Sequence, residues 1–140
     1  MSPSERQGAE MKILIVEDDF SDRLLLQEHL KELGLAHVAI NGKEAIEAVQ
    51  LAIDSNEPYD LICMDILLPD MDGQQALSKI REMEEANGIA FSRGEKIIMT
   101  TALTDIKNKI QAFSSLCNGY LEKPIHKNKL MEELHHTGLV

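Results

Sequence analysis

The sequence predicts an α/β domain, a doubly wound parallel sheet of five strands with helices on both faces. Three observations predict it. Five short apolar runs alternate with five segments of helical periodicity along 140 residues. The runs are nearly continuously apolar, as strands covered on both faces are. No repeat, linker or low-complexity block interrupts the alternation. The length suits one domain with a substantial core and leaves no room for a second.

The first run is "MKILIV", 11–16, and a helix is expected over about 21–33. Leu26, Leu30 and Leu33 share one face there, with Gly34 as the stop. The second run is "AHVAIN", 36–41. Asn41 can cap the next helix, with Glu44 three residues later. Ala45, Val49, Ala52 and Ile53 carry its period, and "SNEPYD" breaks it at Pro58. The third run, 61–64, leads through "LPDMDG" to a helix over about 74–86, where Leu77, Ile80 and Met83 recur. Residues 87–95 read as a loop. The fourth run, 96–100, precedes a helix over about 104–113 with Ile106, Ile110 and Phe113 in line. "GYLEK" forms the fifth run, and the last helix covers about 127–135. The boundaries follow: a polar extension over 1–10, the domain over 11–136 and a tail over 137–140.

Hydrophobic residues make up 44% of the chain and its net charge is -10. An acidic chain of this kind argues against a nucleic-acid partner and against anionic membranes. The first ten residues lack the apolar stretch of a signal peptide, and no span is long enough for a membrane helix. Cys63 and Cys117 lie in apolar surroundings, outside any C-x-x-C pair. They read as buried, inert thiols in a reducing, cytoplasmic setting. His29, His37, His126, His135 and His136 form no zinc-like pattern and read as solvated residues.

In open α/β sheets the site lies beyond the carboxyl ends of the strands. Run one ends in Glu17-Asp18-Asp19, run three in Asp65, run four in Thr100-Thr101-Ala102 and run five in Glu122-Lys123-Pro124. Run two ends in Asn41-Gly42, a helix cap. If strands one and three are neighbours, their carboxylates converge and repel, and a cation has to offset them. All-oxygen ligands from few protein groups suit Mg2+. A carboxylate beside Mg2+ can attack a phosphoryl donor, a reaction that needs mainly positioning and charge neutralisation. Lys123 supplies a positive charge and Thr101 a hydroxyl for a phosphate oxygen.

"ILIVEDD", "DLICMDILLPDMDG", "IIMTTA" and "YLEKPI" occur in order, at spacings that span about 11–134. In these segments the chain resembles the receiver domain of two-component response regulators. The resemblance implies the flavodoxin-like strand order 2-1-3-4-5 with five flanking helices. It implies that Asp65 is the phosphoacceptor and that Glu17 and Asp18 help hold Mg2+, Asp18 directly and Glu17 through water. The backbone carbonyl of Leu67 would be a further metal ligand. Thr101 and Lys123 take the places of the switch hydroxyl and the phosphate-pairing lysine. Tyr120 matches the aromatic that changes rotamer with the threonine, and Lys123-Pro124 is expected to be cis.

Other residues read more plainly. Asp19 is expected to cap the first helix. Asp70, Asp72 and Gly73 are expected to build a turn and open a helix. Thr100 should point away from Thr101 and is structural, and Glu122 is a solvated neighbour. Leu67 and Leu103, two residues after Asp65 and Thr101, flank the phosphoryl position by resemblance. Neither can orient an attacking water, which implies a long-lived phosphoryl state.

The expected function is that of a single-domain receiver in a two-component phosphorelay. A histidine kinase or phosphotransfer protein would donate to Asp65, and a further protein would read the surface around the fourth helix, fifth strand and fifth helix. The chain is expected to be a monomer or weak dimer and, beyond its self-catalysed phosphoryl chemistry, no enzyme. Three other readings stay open. A Mg2+-dependent aspartyl phosphatase of the haloacid dehalogenase type would carry D-x-D after strand one, where this chain has E-D-D. A flavodoxin-like binder would need a hydroxyl- and glycine-rich phosphate loop there, where three acids would repel phosphate. A receiver-like docking module would act without phosphorylation.

Overall fold

The computed structural model describes residues 10–102 and 116–140. The helix expected over 104–113 and the neighbouring Leu103 lie outside the described residues. The strands are β1 (Met11–Val16), β2 (Gly34–Ala39), β3 (Leu61–Asp65), β4 (Lys96–Thr101) and β5 (Gly119–Glu122). The helices among the described residues are α1 (Phe20–Leu30), α2 (Gly42–Asp54), α3 (Gly73–Ala86) and α4 (Lys127–Thr137). A 3-10 turn, Phe91–Arg93, sits inside the segment expected to be a loop. All strand pairs are parallel, in the order β2-β1-β3-β4-β5.

Alternation along the strands splits the core in two. Leu14, Val16, Ile62, Met64, Ile97 and Met99 pack against the Ala45–Val49–Ala52 row of α2 and against Ala76, Leu77 and Ile80 of α3. Ile13, Ile15, Leu61, Cys63 and Ile98 face Leu26 and Leu30 of α1 and Leu130 and Leu134 of α4. The central strands therefore bury side chains on both faces, each large one contributing about 1.5–3 kcal/mol. Burial pushes the Cys63 thiol up to about 12 and raises that of Cys117, so both thiols stay protonated and inert.

The helix starts follow the sequence closely. Asp19 caps α1 by accepting from Asp22 N–H, and Asn41 caps α2 by accepting from Glu44 N–H. Asp72 caps α3 in a reciprocal pair with Gln75. Gly34 differs from expectation, because α1 ends at Leu30 and Gly34 opens β2 instead of stopping the helix. A side chain at Gly34 would meet the Met11 backbone on the adjoining strand, so close strand approach is what requires glycine there. His29 and His37 are also less free than expected. A ring nitrogen of His29 lies 3.0 Å from the Ile125 carbonyl oxygen, and one of His37 lies 2.8 Å from the Tyr59 hydroxyl.

A second polar cluster lies at the amino edge of the sheet, beneath β4. Arg81 donates to Glu84 Oε1 at 2.7 Å, to the carbonyls of Leu116 and Glu95 and to Asn118 Oδ1. Glu84 Oε2 accepts from the Glu95 N–H at 2.7 Å. Glu84 thus has donors on both oxygens. Glu95 is 3% exposed and no donor reaches its oxygens among the described residues. Burial first, and the adjacent Glu84 carboxylate second, push the Glu95 carboxyl up to about 9.

At neutral pH the folded chain therefore holds on Glu95 a proton that the unfolded chain, with a value near 4.5, releases. The stability this proton carries is fully present below pH about 4.5 and is lost as pH rises towards 9. Glu95→Gln keeps a donor for Glu84 and cannot ionise. Denaturant titrations at pH 5 and pH 8.5 should find that variant about 1–3 kcal/mol more stable than the parent at the higher pH only.

Candidate functional site

β1 and β3 are neighbours at the point where the strand order reverses, so Glu17 and Asp65 leave the sheet side by side. One carboxylate oxygen each from Glu17, Asp18 and Asp65 lies within 4.8 Å of the others. Glu17 is fully buried, Asp65 is 6% exposed and Asp18 faces solvent. Glu17 Oε1 accepts the Asp19 N–H at 3.0 Å, and Asp65 Oδ1 accepts the Leu67 N–H at 3.1 Å. Burial raises the Glu17 carboxyl to about 7 against the opposing pull of Lys123 and the Asp19 N–H.

Lys123 arrives from the end of β5. Its ammonium lies 2.6 Å from Glu17 Oε2, 2.8 Å from Asp65 Oδ2 and 3.0 Å from Asp22 Oδ2. Burial alone would lower its pKa, but the carboxylates of Asp65, Glu17 and Asp22 outweigh burial and hold it above the ordinary lysine value. One ammonium faces three carboxylates, with a fourth on Asp18. The surplus of negative charge and the all-oxygen donor set fit a hard divalent cation.

The turn after β3 is fixed at both ends. Asp70 accepts from Gly42 N–H at 2.7 Å and Lys43 N–H at 2.9 Å, so it caps α2. Those two N–H groups hold its carboxyl below the usual range. Asp72 caps α3, and Leu67 and Asp72 form an antiparallel bridge across the turn. Gly73 donates to the Ile66 carbonyl at 2.6 Å, and a Cβ on it would stand 2.5 Å from the Asp65 carbonyl oxygen. Glycine is required there because α3 starts in contact with the end of β3.

The register sorts the remaining residues. Thr100 is the cross-strand partner of Asp65, and Thr101 pairs with Glu122. Thr100 therefore shares the sheet face of Asp65, and Thr101 lies on the other, beside Met99 and Tyr120. Thr101 is fully buried, Tyr120 is 42% exposed, and the Leu67 side chain is 54% exposed. Thr101 meets Lys123 through its backbone, its carbonyl accepting the Lys123 N–H at 2.7 Å. Glu122 is exposed, as expected, and the Lys123-Pro124 bond is cis.

The site thus brings together Glu17, Asp18, Asp65 and Lys123, holds Leu67 against Asp65, and sets Thr101 and Tyr120 on the neighbouring face. Asp22 is absent from the sequence reading, and the burial state of the Thr100 hydroxyl was not legible there. Asp22 reaches Lys123 from the first turn of α1, three residues past the Asp19 cap, and that spacing was its one available signal. Thr100 Oγ1 is buried without a hydrogen-bond partner among the described residues, a fact no sequence pattern carries.

A model of the response regulator receiver domain family matches residues 13–135. The chain belongs to that family. It is 36% identical over 129 residues to hybrid signal transduction histidine kinase B of Dictyostelium discoideum, covering 88% of this chain and 6% of that protein. It is 36% identical over 121 residues to the transcriptional regulatory protein SrrA of Staphylococcus aureus, covering 86% of this chain and 44% of that one. The chain therefore spans less than half the length of these relatives.

Among solved structures it resembles the receiver domain of the Saccharomyces cerevisiae response regulator Ssk1, determined with the histidine phosphotransfer protein Ypd1. The TM-score is 0.72 and the identity 33%, over 89% of this chain and 86% of that one. It also resembles the receiver domain of a Pseudomonas aeruginosa sensor histidine kinase with a magnesium ion in its active-site cleft. There the TM-score is 0.72 and the identity 25%, over 92% of this chain and 98% of that one. Among the described residues no helix is long and apolar enough to cross a membrane.

A cation held by the acidic cluster should stabilise the fold by mass action. Mg2+ is expected to raise the melting midpoint of the parent. Asp18→Asn, altered at an exposed position, should fold as well as the parent and lose most of that rise. Thermal denaturation with and without Mg2+ reads both.

Proposed function

We propose that the chain is a receiver that accepts a phosphoryl group on Asp65, with Mg2+ held by Asp18 and Asp65 directly and by Glu17 through water. The observation that carries this reading is the Lys123 ammonium 2.8 Å from Asp65 Oδ2, beside a carboxylate cluster with surplus negative charge. The carboxylate of Asp65 attacks the phosphorus of the donor, a P–O bond forming as the bond from phosphorus to the donor's leaving group breaks, with the Lys123 ammonium beside it to neutralise the charge that develops; a bound Mg2+ would supply further neutralisation. The Leu67 carbonyl would be a further metal ligand, a reading supported by the Leu67–Asp72 bridge and the Leu67 N–H bond that keep this backbone close to Asp65. The donor is a histidine kinase or histidine phosphotransfer protein, a reading supported by the likeness to Ssk1 in its complex with Ypd1.

On phosphorylation the hydroxyl of Thr101 moves toward the phosphoryl group and Tyr120 follows it, shifting the surface that a downstream protein reads. Tyr120 is half-exposed on the same sheet face as Thr101, which suits it to report that motion. A phosphatase of the haloacid dehalogenase type fits less well. The buried acid that Lys123 contacts at the end of β1 is Glu17, and Asp65, at the end of β3, is the carboxylate positioned for attack.

Incubation with acetyl phosphate and Mg2+ should add the mass of one phosphoryl group to the parent and none to Asp65→Asn. Equal labelling of both would sink the assignment. Leu67 offers no group to orient water, so the phosphoryl state should persist for minutes or longer in Mg2+ alone. Leu67→Asn should shorten that lifetime by roughly three- to tenfold, read as loss of label over time.

A further inference from the structure

A lysine ammonium has three N–H donors. In this structure the ammonium donates to Asp65 and Asp22 and lies 2.6 Å from a Glu17 carboxylate oxygen. A phosphoryl group on Asp65 that pairs with Lys123 needs one of those donors. The three acids differ in how readily they give one up. Glu17 is fully buried, and turning it away from Lys123 would strand a carboxylate inside the protein. Asp65 carries the incoming group. The Asp22 side chain is 35% exposed and stands on the first turn of α1, where water can replace the lysine at small cost.

We propose that Asp22 is a positioning residue that competes with the phosphoryl group for Lys123 and so sets how tightly the site holds phosphate relative to metal. The inference rests on the reading of Asp65 as phosphoacceptor. Asp22 holds Lys123 in the unphosphorylated arrangement through a 3.0 Å contact. When that contact breaks, the carboxylate remains beside the site as a negative charge. It attracts a divalent cation and repels a phosphoryl anion. The two ligands therefore feel Asp22 with opposite sign. A phosphoryl group bound in this field is easier to pass onward than one bound to a site with only Glu17, Asp18 and Asp65.

The test compares the parent with Asp22→Asn, which is isosteric and uncharged, and with Asp22→Glu, which restores the charge. Calorimetry reads Mg2+ affinity, and fluorine NMR reads beryllofluoride affinity at saturating Mg2+. Asp22→Asn is expected to bind beryllofluoride about three- to tenfold more tightly and Mg2+ about two- to fivefold more weakly. Asp22→Glu should return both values toward those of the parent. Shifts of the same sign for both ligands would show that Asp22 only supports the start of α1, and would overturn the proposal. So would unchanged affinities in a variant that melts like the parent. Failure of the parent itself to bind beryllofluoride would overturn the reading of Asp65 on which the proposal stands.

Discussion

Like charges resist being gathered, and the carboxyl edge of this sheet gathers four carboxylates around one ammonium. Much of the architecture can be understood as the means of imposing that arrangement. β1 and β3 must be adjacent for Glu17 and Asp65 to meet. β5 must end where Lys123 can reach across β4 to both. The repulsion is borne by two clusters of fully buried aliphatic side chains, one on each face, which contribute far more than any contact in the site. A sheet covered on one face alone would have little to set against the charge at its edge.

The sequence made the frame of this site legible because strand ends are easy to find. Apolar runs stop where acids begin, and parallel strands all stop on the same side. Asp19, Asn41 and Asp72 were also readable as caps, since capping depends on residue type and on spacing of two or three positions. Period-two alternation alone separated Thr100 from Thr101. The start of β2 at Gly34 was not readable in that way. A glycine after an apolar helical stretch looks the same whether it stops a helix or lets a strand approach Met11 closely. Asp22 and Arg81 share a different difficulty. Each reads as a solvated charge on a helix, and the partners that bury or recruit them lie 101 and 37 residues away in the chain.

The molecule deals with buried carboxylates differently at its two edges. At the carboxyl edge, open to water at Asp18, charge is balanced by an ammonium and can be balanced further by a hard cation. At the amino edge, Glu95 is sealed beneath β4 beside Glu84, and the balance comes from a proton. The difference is one of access. An ion with a tightly held hydration shell can approach the first cluster at exposed Asp18, while the Glu95 carboxyl is 3% exposed and is neutralised by its own proton.

The pair of acids in "LPDMDG" ties the turn after β3 to two helices at once, Asp70 to α2 and Asp72 to α3, while Gly73 presses α3 against the Asp65 carbonyl. That side of the site behaves as a clamped joint. A displacement that starts at Asp65 finds α2, α3 and the end of β3 moving as one body and little able to deform. Under the switch proposed above, a displacement would pass instead across the sheet, through β4 and β5, past Thr101 and the half-exposed Tyr120. On that reading the two aspartates would steer the signal without touching it, by leaving it one way out.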